Sequence, residues 1–302
     1  MDLEFFDVPR PFLDAAGELL AADPVLGSVI AGVSERTARE LAEGRDSWAE
    51  VDVPFARWWL AVRDDNGTVV SAAMRTAPFK PHPTFAMPMD DDAAHALAAV
   101  LHERGEFLGG ANGALPGAEV LARATAELAG GKVVTDKATR LWEATSVTVP
   151  PAPEGRLRLA TEDDADLVLA WFEAFHAEAD EQAGREPDPT SGEHNTVDSV
   201  LVRIREGVEW LWELPDGAVA HLSGASLPSY GVARIGPVYT PKEFRGRGIA
   251  SYVVGELTRR GLEAGSRMCL FTDQANPTSN KIYAGLGYEP VVDMAEHLVL
   301  VP

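Results

Sequence analysis

Residues 238–251 read Val238-Tyr239-Thr240-Pro241-Lys242-Glu243-Phe244-Arg245-Gly246-Arg247-Gly248-Ile249-Ala250-Ser251. Gly246 and Gly248 let the backbone approach a ligand closely, and the helix that follows starts with amide groups that have no intrahelical partner. Such amides, aided by the helix dipole, bind anions. Lys242, Arg245 and Arg247 gather positive charge at the same place, so a diphosphate is the ligand this pattern suits. A second stretch, Asn276-Pro277-Thr278-Ser279-Asn280-Lys281-Ile282-Tyr283-Ala284-Gly285-Leu286-Gly287-Tyr288, opens with a capping asparagine and a proline at the first helical position, and closes on a glycine. At helical spacing Asn276, Ser279 or Asn280, and Tyr283 share one face, while Ile282 and Leu286 turn to the core.

Secondary elements must hold these two stretches. A strand over 232–239 leads into the glycine turn, and a helix over about 248–264 carries the apolar stripe Ile249, Val253, Leu257. Met268–Thr272 reads as a buried strand, 277–286 as a helix and 291–301 as a final strand or strand pair. Upstream, 156–159 is a short strand, and 163–179 is a helix with Leu167, Trp171, Phe172 and Phe175 on its apolar side. The polar stretch 184–195 reads as a long loop.

The two halves of the chain share one passage. Trp58 to Ala73 and Trp210 to Ala225 each read as a β-hairpin, turned at Asn66-Gly67 and Asp216-Gly217, with a helical region before it. The proline-rich segment Val149-Pro150-Pro151-Ala152-Pro153-Glu154-Gly155 interrupts regular structure and reads as a linker. At 302 residues the chain is long enough for two domains of about 150 residues each, expected over 1–150 and 151–302. The fold class is therefore α/β with mixed sheets, and the shared passage points to an internal duplication, the alternative being chance recurrence of a common hairpin turn. The halves differ after the hairpin. The first runs through Asp90-Asp91-Asp92 into an alanine-rich helix from Ala93 to Arg104 and has no glycine-rich turn.

Charge and composition narrow the partners. A net charge of -21 and a pI near 4.7 repel nucleic-acid phosphates and anionic lipid, so no nucleic acid and no membrane partner is expected. With no secretion signal at Met1-Asp2-Leu3-Glu4 and no apolar run near 20 residues, the expected location is the cytoplasm, as a monomer or homodimer. The lone Cys269 sits in an apolar run and reads as a small core residue. Asp90–Asp92 read as a helix cap, and His95 and His102 lack a third ligand, so no metal is expected. Trp58, Trp59, Trp210 and Trp212 read as packing residues.

Taken together, the glycine turn, the buried strand and the Asn-to-Tyr helix resemble the GNAT superfamily of acyl-CoA N-acyltransferases over about residues 232–290. Arg245, Gly248 and Ala250 match its Arg/Gln-x-x-Gly-x-Gly/Ala signature. The resemblance implies two GNAT-like domains, each a central, mostly antiparallel sheet flanked by helices, the first a degenerate copy. It also implies acetyl-CoA as co-substrate and direct acetyl transfer to an amine of a small molecule or peptide. Backbone groups of Val238, Tyr239 and Thr240 would pair with the pantetheine arm. Arg245, Gly246, Arg247, Gly248, Ile249, Ala250 and Ser251 would hold the diphosphate, and Asn276, Ser279 and Asn280 would touch the cofactor. Tyr283 would protonate the departing thiolate, or else serve as a structural phenol within the sheet.

The sequence departs from the family in one respect: the strand Val232-Ala233-Arg234-Ile235-Gly236-Pro237 carries no carboxylate to serve as base. Glu173, His176, Glu178 or a water chain are the candidates, with solvated helix-face positions as the alternative for each side chain. A non-catalytic CoA sensor is the second reading of the whole. A Rossmann-type dinucleotide site is disfavoured because the turn follows an antiparallel hairpin and lacks the third glycine and distal acid.

Overall fold

Two hairpins with matching turns organise the chain, and similar elements flank each of them. The computed structural model describes residues 1–46, 55–182, 184–185 and 195–302. In chain order the first half forms β1 (Asp2–Phe6), α1 (Pro9–Ala22), α2 (Ser28–Ala42), β2 (Trp58–Arg63), β3 (Val69–Arg75), β4 (Thr84–Ala86), α3 (Asp91–Glu103), β5 (Gly110–Ala114), α4 (Gly117–Ala129) and β6 (Lys132–Ala144). The second half forms β7 (Arg156–Leu159), α5 (Ala165–Gln182), α6 (Val197–Arg205), β8 (Glu209–Glu213), β9 (Val219–Ala225), β10 (Val232–Tyr239), α7 (Ile249–Glu263), β11 (Arg267–Asp273), α8 (Pro277–Leu286) and β12 (Glu289–Leu300). The order β-α-α-β-β-β-α-β-α-β thus occurs twice. Of the expected polar loop over 184–195, residues 186–194 lie outside the described residues.

By their contacts the described residues divide into two units, one of Met1–Arg140 with Val292–Pro302 and one of Leu141–Val291. In the first unit the strands run β1-β2-β3-β4-β5-β12-β6. Its sixth place is taken by the end of the chain: β12 pairs antiparallel with β5 from Met294–Ala114 to Leu298–Gly110. Leu97 and Leu101 of α3 and Leu121 of α4 bury against Trp58, Leu60 and Val62 of β2, which lie on one face because strand side chains alternate.

In the second unit the order is β7-β8-β9-β10-β11, with the end of β6 next to β11. There the indole N–H of Trp142 donates to Thr272 Oγ1 at 2.8 Å. Alternation separates two cores across this sheet. Trp212 joins Val253, Leu257 and Leu286 of α7 and α8 on one face, while its neighbour Leu211 joins Val168 and Phe172 of α5 and Val200 of α6 on the other. Trp58, Trp59 and Trp212 are fully buried and Cys269 is inaccessible, as packing residues should be. The fold is mixed α/β, mostly antiparallel sheet flanked by helices, as the sequence predicts.

Candidate active site

The site begins where two parallel strands part. Strands β10 and β11 pair from Val232–Arg267 to Ile235–Leu270 and no further, although β10 continues to Tyr239. Pro237 has no N–H to offer a ladder, and the register of β10 on β9 shifts between Ile235 and Val238 before resuming at Val238–Ser223 and Tyr239–Leu222. Past the shift, β10 stays bonded to β9 and turns its other edge toward a cleft. A strand edge of this kind can bond an extended, amide-bearing chain.

The glycine turn closes one end of that cleft. Gly246 and Gly248 both have φ of 76°, a region costing other residues about 1–2 kcal/mol. Gly248 is the N-cap of α7, and no side chain caps this helix end. Its first amides therefore remain available to an anion from outside the helix. Ile249, Val253 and Leu257 anchor the helix in the core, which fixes the direction of those amides. Around the turn, the Arg245 guanidinium donates to the Thr240 carbonyl at 2.9 Å, and Arg247 donates to the Glu243 carbonyl at 3.1 Å while covering the Phe244 ring.

Helix α8 forms the facing wall. Asn276 caps it by accepting from the Ser279 amide at 3.1 Å. Tyr283 is buried, its ring 6.0 Å from that of Tyr288, and burial raises its phenol well above the ordinary range. A phenol in that state stays protonated at neutral pH, as a proton donor must, while the same burial makes it a weaker acid than a free phenol. Tyr283 belongs to the apolar core cluster and also reaches the cleft, so both of its sequence readings have a structural counterpart.

These walls enclose a cleft of about 530 Å³. Val238, Tyr239, Thr240, Arg245, Gly246, Arg247, Gly248, Ile249, Ala250, Ser251, Asn276, Ser279 and Tyr283 all line it. Asn280 is the exception: its amide donates to the carbonyls of Asp273 and Gln274, both at 3.3 Å, and braces the turn into α8. Ile282, assigned to the core from its spacing, is only half buried and lines the cleft, because α8 lies at the mouth with one flank uncovered.

Sequence reasoning named Glu178 as a base candidate and put Phe175 on the apolar side of its helix, but did not foresee that both, with Ala179, form a wall of the cleft at helical spacing on α5. Of the base candidates, Glu173 is exposed to solvent and His176 packs edge-on against Phe175. Glu178 accepts from the Tyr239 hydroxyl at 3.1 Å and forms an ion pair with Arg245, so it is not a merely solvated side chain. Burial, with the Glu178 carboxylate next in effect, pushes the Tyr239 phenol up to about 12. Behind the strand His221, wholly buried, bonds through Nδ1 to Thr240 Oγ1 and through Nε2 to Ser223 Oγ, each at 2.7 Å. Burial lowers its pKa to about 3, so it is neutral in any physiological buffer. No sequence pattern marks this histidine, since its partners are 2 and 19 positions away.

Strand opening, uncapped helix and basic turn define the class: the chain has the GNAT acyltransferase fold. Residues 214–296, from the hairpin turn before β9 well into β12, match the family described as FR47-like protein. Over nearly its whole length the chain resembles a GNAT-family acetyltransferase from Colwellia psychrerythraea (12% identity, 99% of this chain and 100% of the other, TM-score 0.52). A tandem GNAT protein from the clavulanic acid biosynthesis pathway is similar to the same extent (14% identity, 99% and 98%, TM-score 0.53). A GCN5-related N-acetyltransferase from Sphaerobacter thermophilus matches at 18% identity over 92% of each chain, with a TM-score of 0.52. No curated protein sequence matches the chain. Among the described residues no helix is long and apolar enough to cross a membrane.

Proposed function

We propose that the second unit binds acetyl-CoA in the cleft between β10, α7 and α8 and transfers the acetyl group directly to an amine of a small molecule or peptide. The observation that carries this reading is the pairing of an unbonded β10 edge with an uncapped α7 start at the ends of one cleft. The first suits the amide-bearing pantetheine arm and the second suits a diphosphate. Arg245 and Arg247 add charge at the turn, and Asn276 and Ser279 contribute polar atoms from α8. An amide near Val238–Thr240 would polarise the thioester carbonyl.

In this reading the amine nitrogen attacks the acetyl carbonyl, the C–N bond forms and the C–S bond breaks. The thiolate takes its proton from Tyr283, while the amine gives up its own to a base or to water. An alkyl ammonium near pKa 10 must lose a proton before it can attack. The first unit, which has no counterpart of the 245–250 turn, would act as scaffold. We assign the protein to the cytoplasm on the same reading, and take a monomer or homodimer as its form.

Thiol release from acetyl-CoA over polyamines, aminoglycosides, amino acids and peptide N-termini tests the proposal. Turnover is expected with at least one cationic acceptor class. CoA binding without thiol release toward any amine would make the protein a CoA sensor instead, the outcome that the absence of a carboxylate on β10 would favour. In Tyr283→Phe, kcat should fall about a hundredfold, within the usual range for losing a general acid, and CoA affinity should change by less than about twofold.

A further inference from the structure

Two cations of the diphosphate turn, Lys242 and Arg245, already hold anions, and those anions come from α5. Arg245 pairs with Glu178 and Lys242 with Glu181 at 2.9 Å. The two carboxylates lie three positions apart on one helix face, and the two cations three positions apart on the turn. The face is fixed in place: Trp171, two turns before Glu178, packs against the Tyr239 ring at 5.6 Å. At the far end of α5, Arg185 bridges Asp180 at 3.0 Å and Asp273 at 2.6 Å. Glu178 therefore comes from a braced helix, and its second oxygen is held by the Tyr239 hydroxyl at 3.1 Å.

A carboxylate on Arg245 and a diphosphate at the α7 start compete for the donors that Arg245 has left once its Nε is committed to the Thr240 carbonyl, and the two anions repel each other across one cleft. We infer that Glu178 is an exchangeable internal counter-ion: the cofactor diphosphate takes Arg245, and the carboxylate so released becomes the docking point for the cationic end of the acceptor amine. This rests on the acyl-CoA reading above and adds an order of binding to it. With the cofactor absent, Glu178 is occupied by Arg245 and the amine site is closed. With the cofactor bound, Glu178 faces the cleft from the same wall as Phe175 and Ala179, still oriented by Tyr239. The Glu181–Lys242 pair is a weaker copy of the device, since both partners are more than half exposed and an exposed pair is worth little.

The test has two arms that move in opposite directions. In Glu178→Gln, calorimetric titration with CoA should show tighter binding, by about fivefold, the size of one partly exposed ion pair. With acetyl-CoA saturating, the KM of a cationic acceptor should rise by about tenfold or more, as for a lost charge-assisted bond. In the wild type, an acceptor amine should bind weakly alone and more tightly in the presence of CoA. Should Glu178→Gln not fold, Glu178→Asp, which keeps the charge but shortens the reach, must show the same tightening. The inference is overturned if the wild type binds CoA while the variant binds it no more tightly, or if amine affinity is indifferent to CoA. Absence of CoA binding in the wild type would bring down the acyl-CoA reading itself and this inference with it.

Discussion

Helices α3 and α7 occupy the same place in the repeated element order, each following the inner strand of a hairpin-fed sheet, yet their N-termini have opposite chemistry. In the first unit the helix is capped by its own sequence: the Asp90 carboxylate accepts from the Ala93 amide at 2.7 Å, and Asp91 and Asp92 fill the first turn. In the second unit the cap is Gly248, which has no side chain to give, and Arg245 and Arg247 stand beside it. The strand pairs differ in the same sense. β4 and β5 stay zipped over the whole of β4, Thr84 to Ala86, and a Cβ on Gly113 would lie 2.3 Å from the Ala86 carbonyl oxygen. β10 and β11 separate after four pairs. One architecture therefore yields a self-capped helix start beside a zipped strand pair or an uncapped one beside an open strand edge, according to a few residues at one helix start and one strand end.

Transplanting the closed state should break the open one. Gly248→Asp places an N-cap carboxylate where Asp90 stands in the first unit, and CoA affinity should fall about a hundredfold, from repulsion and a lost amide donor together, while calorimetry of the folded variant provides the check. Forcing the zipped pair should cost stability but not binding. Gly113→Ala is expected to destabilise the protein by about 2 kcal/mol, as overpacking does, with CoA affinity unchanged; a matching loss of affinity would show that the units do not act separately.

The hairpins sharpen the comparison through acid stability. At the position of Ser71 in the first hairpin, paired with Val62, the second has His221, paired with Trp212. Its folded pKa near 3 lies below the ordinary value of about 6.5. The neutral ring's contribution is thus complete above pH 6.5 and is lost as pH falls toward 3. Between pH 7 and pH 5 the urea midpoint should drop by the equivalent of about 2 kcal/mol, and His221→Gln should flatten that slope. The smallest effect is expected from Asp90→Ala, a loss of about 1 kcal/mol for a removed cap with no gain of CoA binding by the first unit, since no arginine turn accompanies it.

Much of this was legible because the signals are local. Pro277 and Gly287 bound α8, the hairpin turns announce β2–β3 and β8–β9, and Gly246 and Gly248 with their arginines mark the proposed anion site within a few residues. Asn280 and Ile282 show the limit. Spacing assigns a residue to a helix face, but which face meets the cleft depends on how α8 lies against β11 and α7.

What the amino-acid sequence by itself determined was therefore the position of the two hairpins, of α3 and of most elements of the second half, together with the shared passage and the chemical character of the turn, since capping, turn formation and periodicity act over a few residues. The tertiary structure alone decided that β12 completes the first unit, that β10 leaves β11 after Ile235, that His221 supports Thr240 and that Glu178 holds Arg245. Those contacts join residues up to 188 positions apart, as Gly110 and Leu298 are, and become favourable only when burial removes competing water and the fold has already met the entropic cost of bringing the segments together.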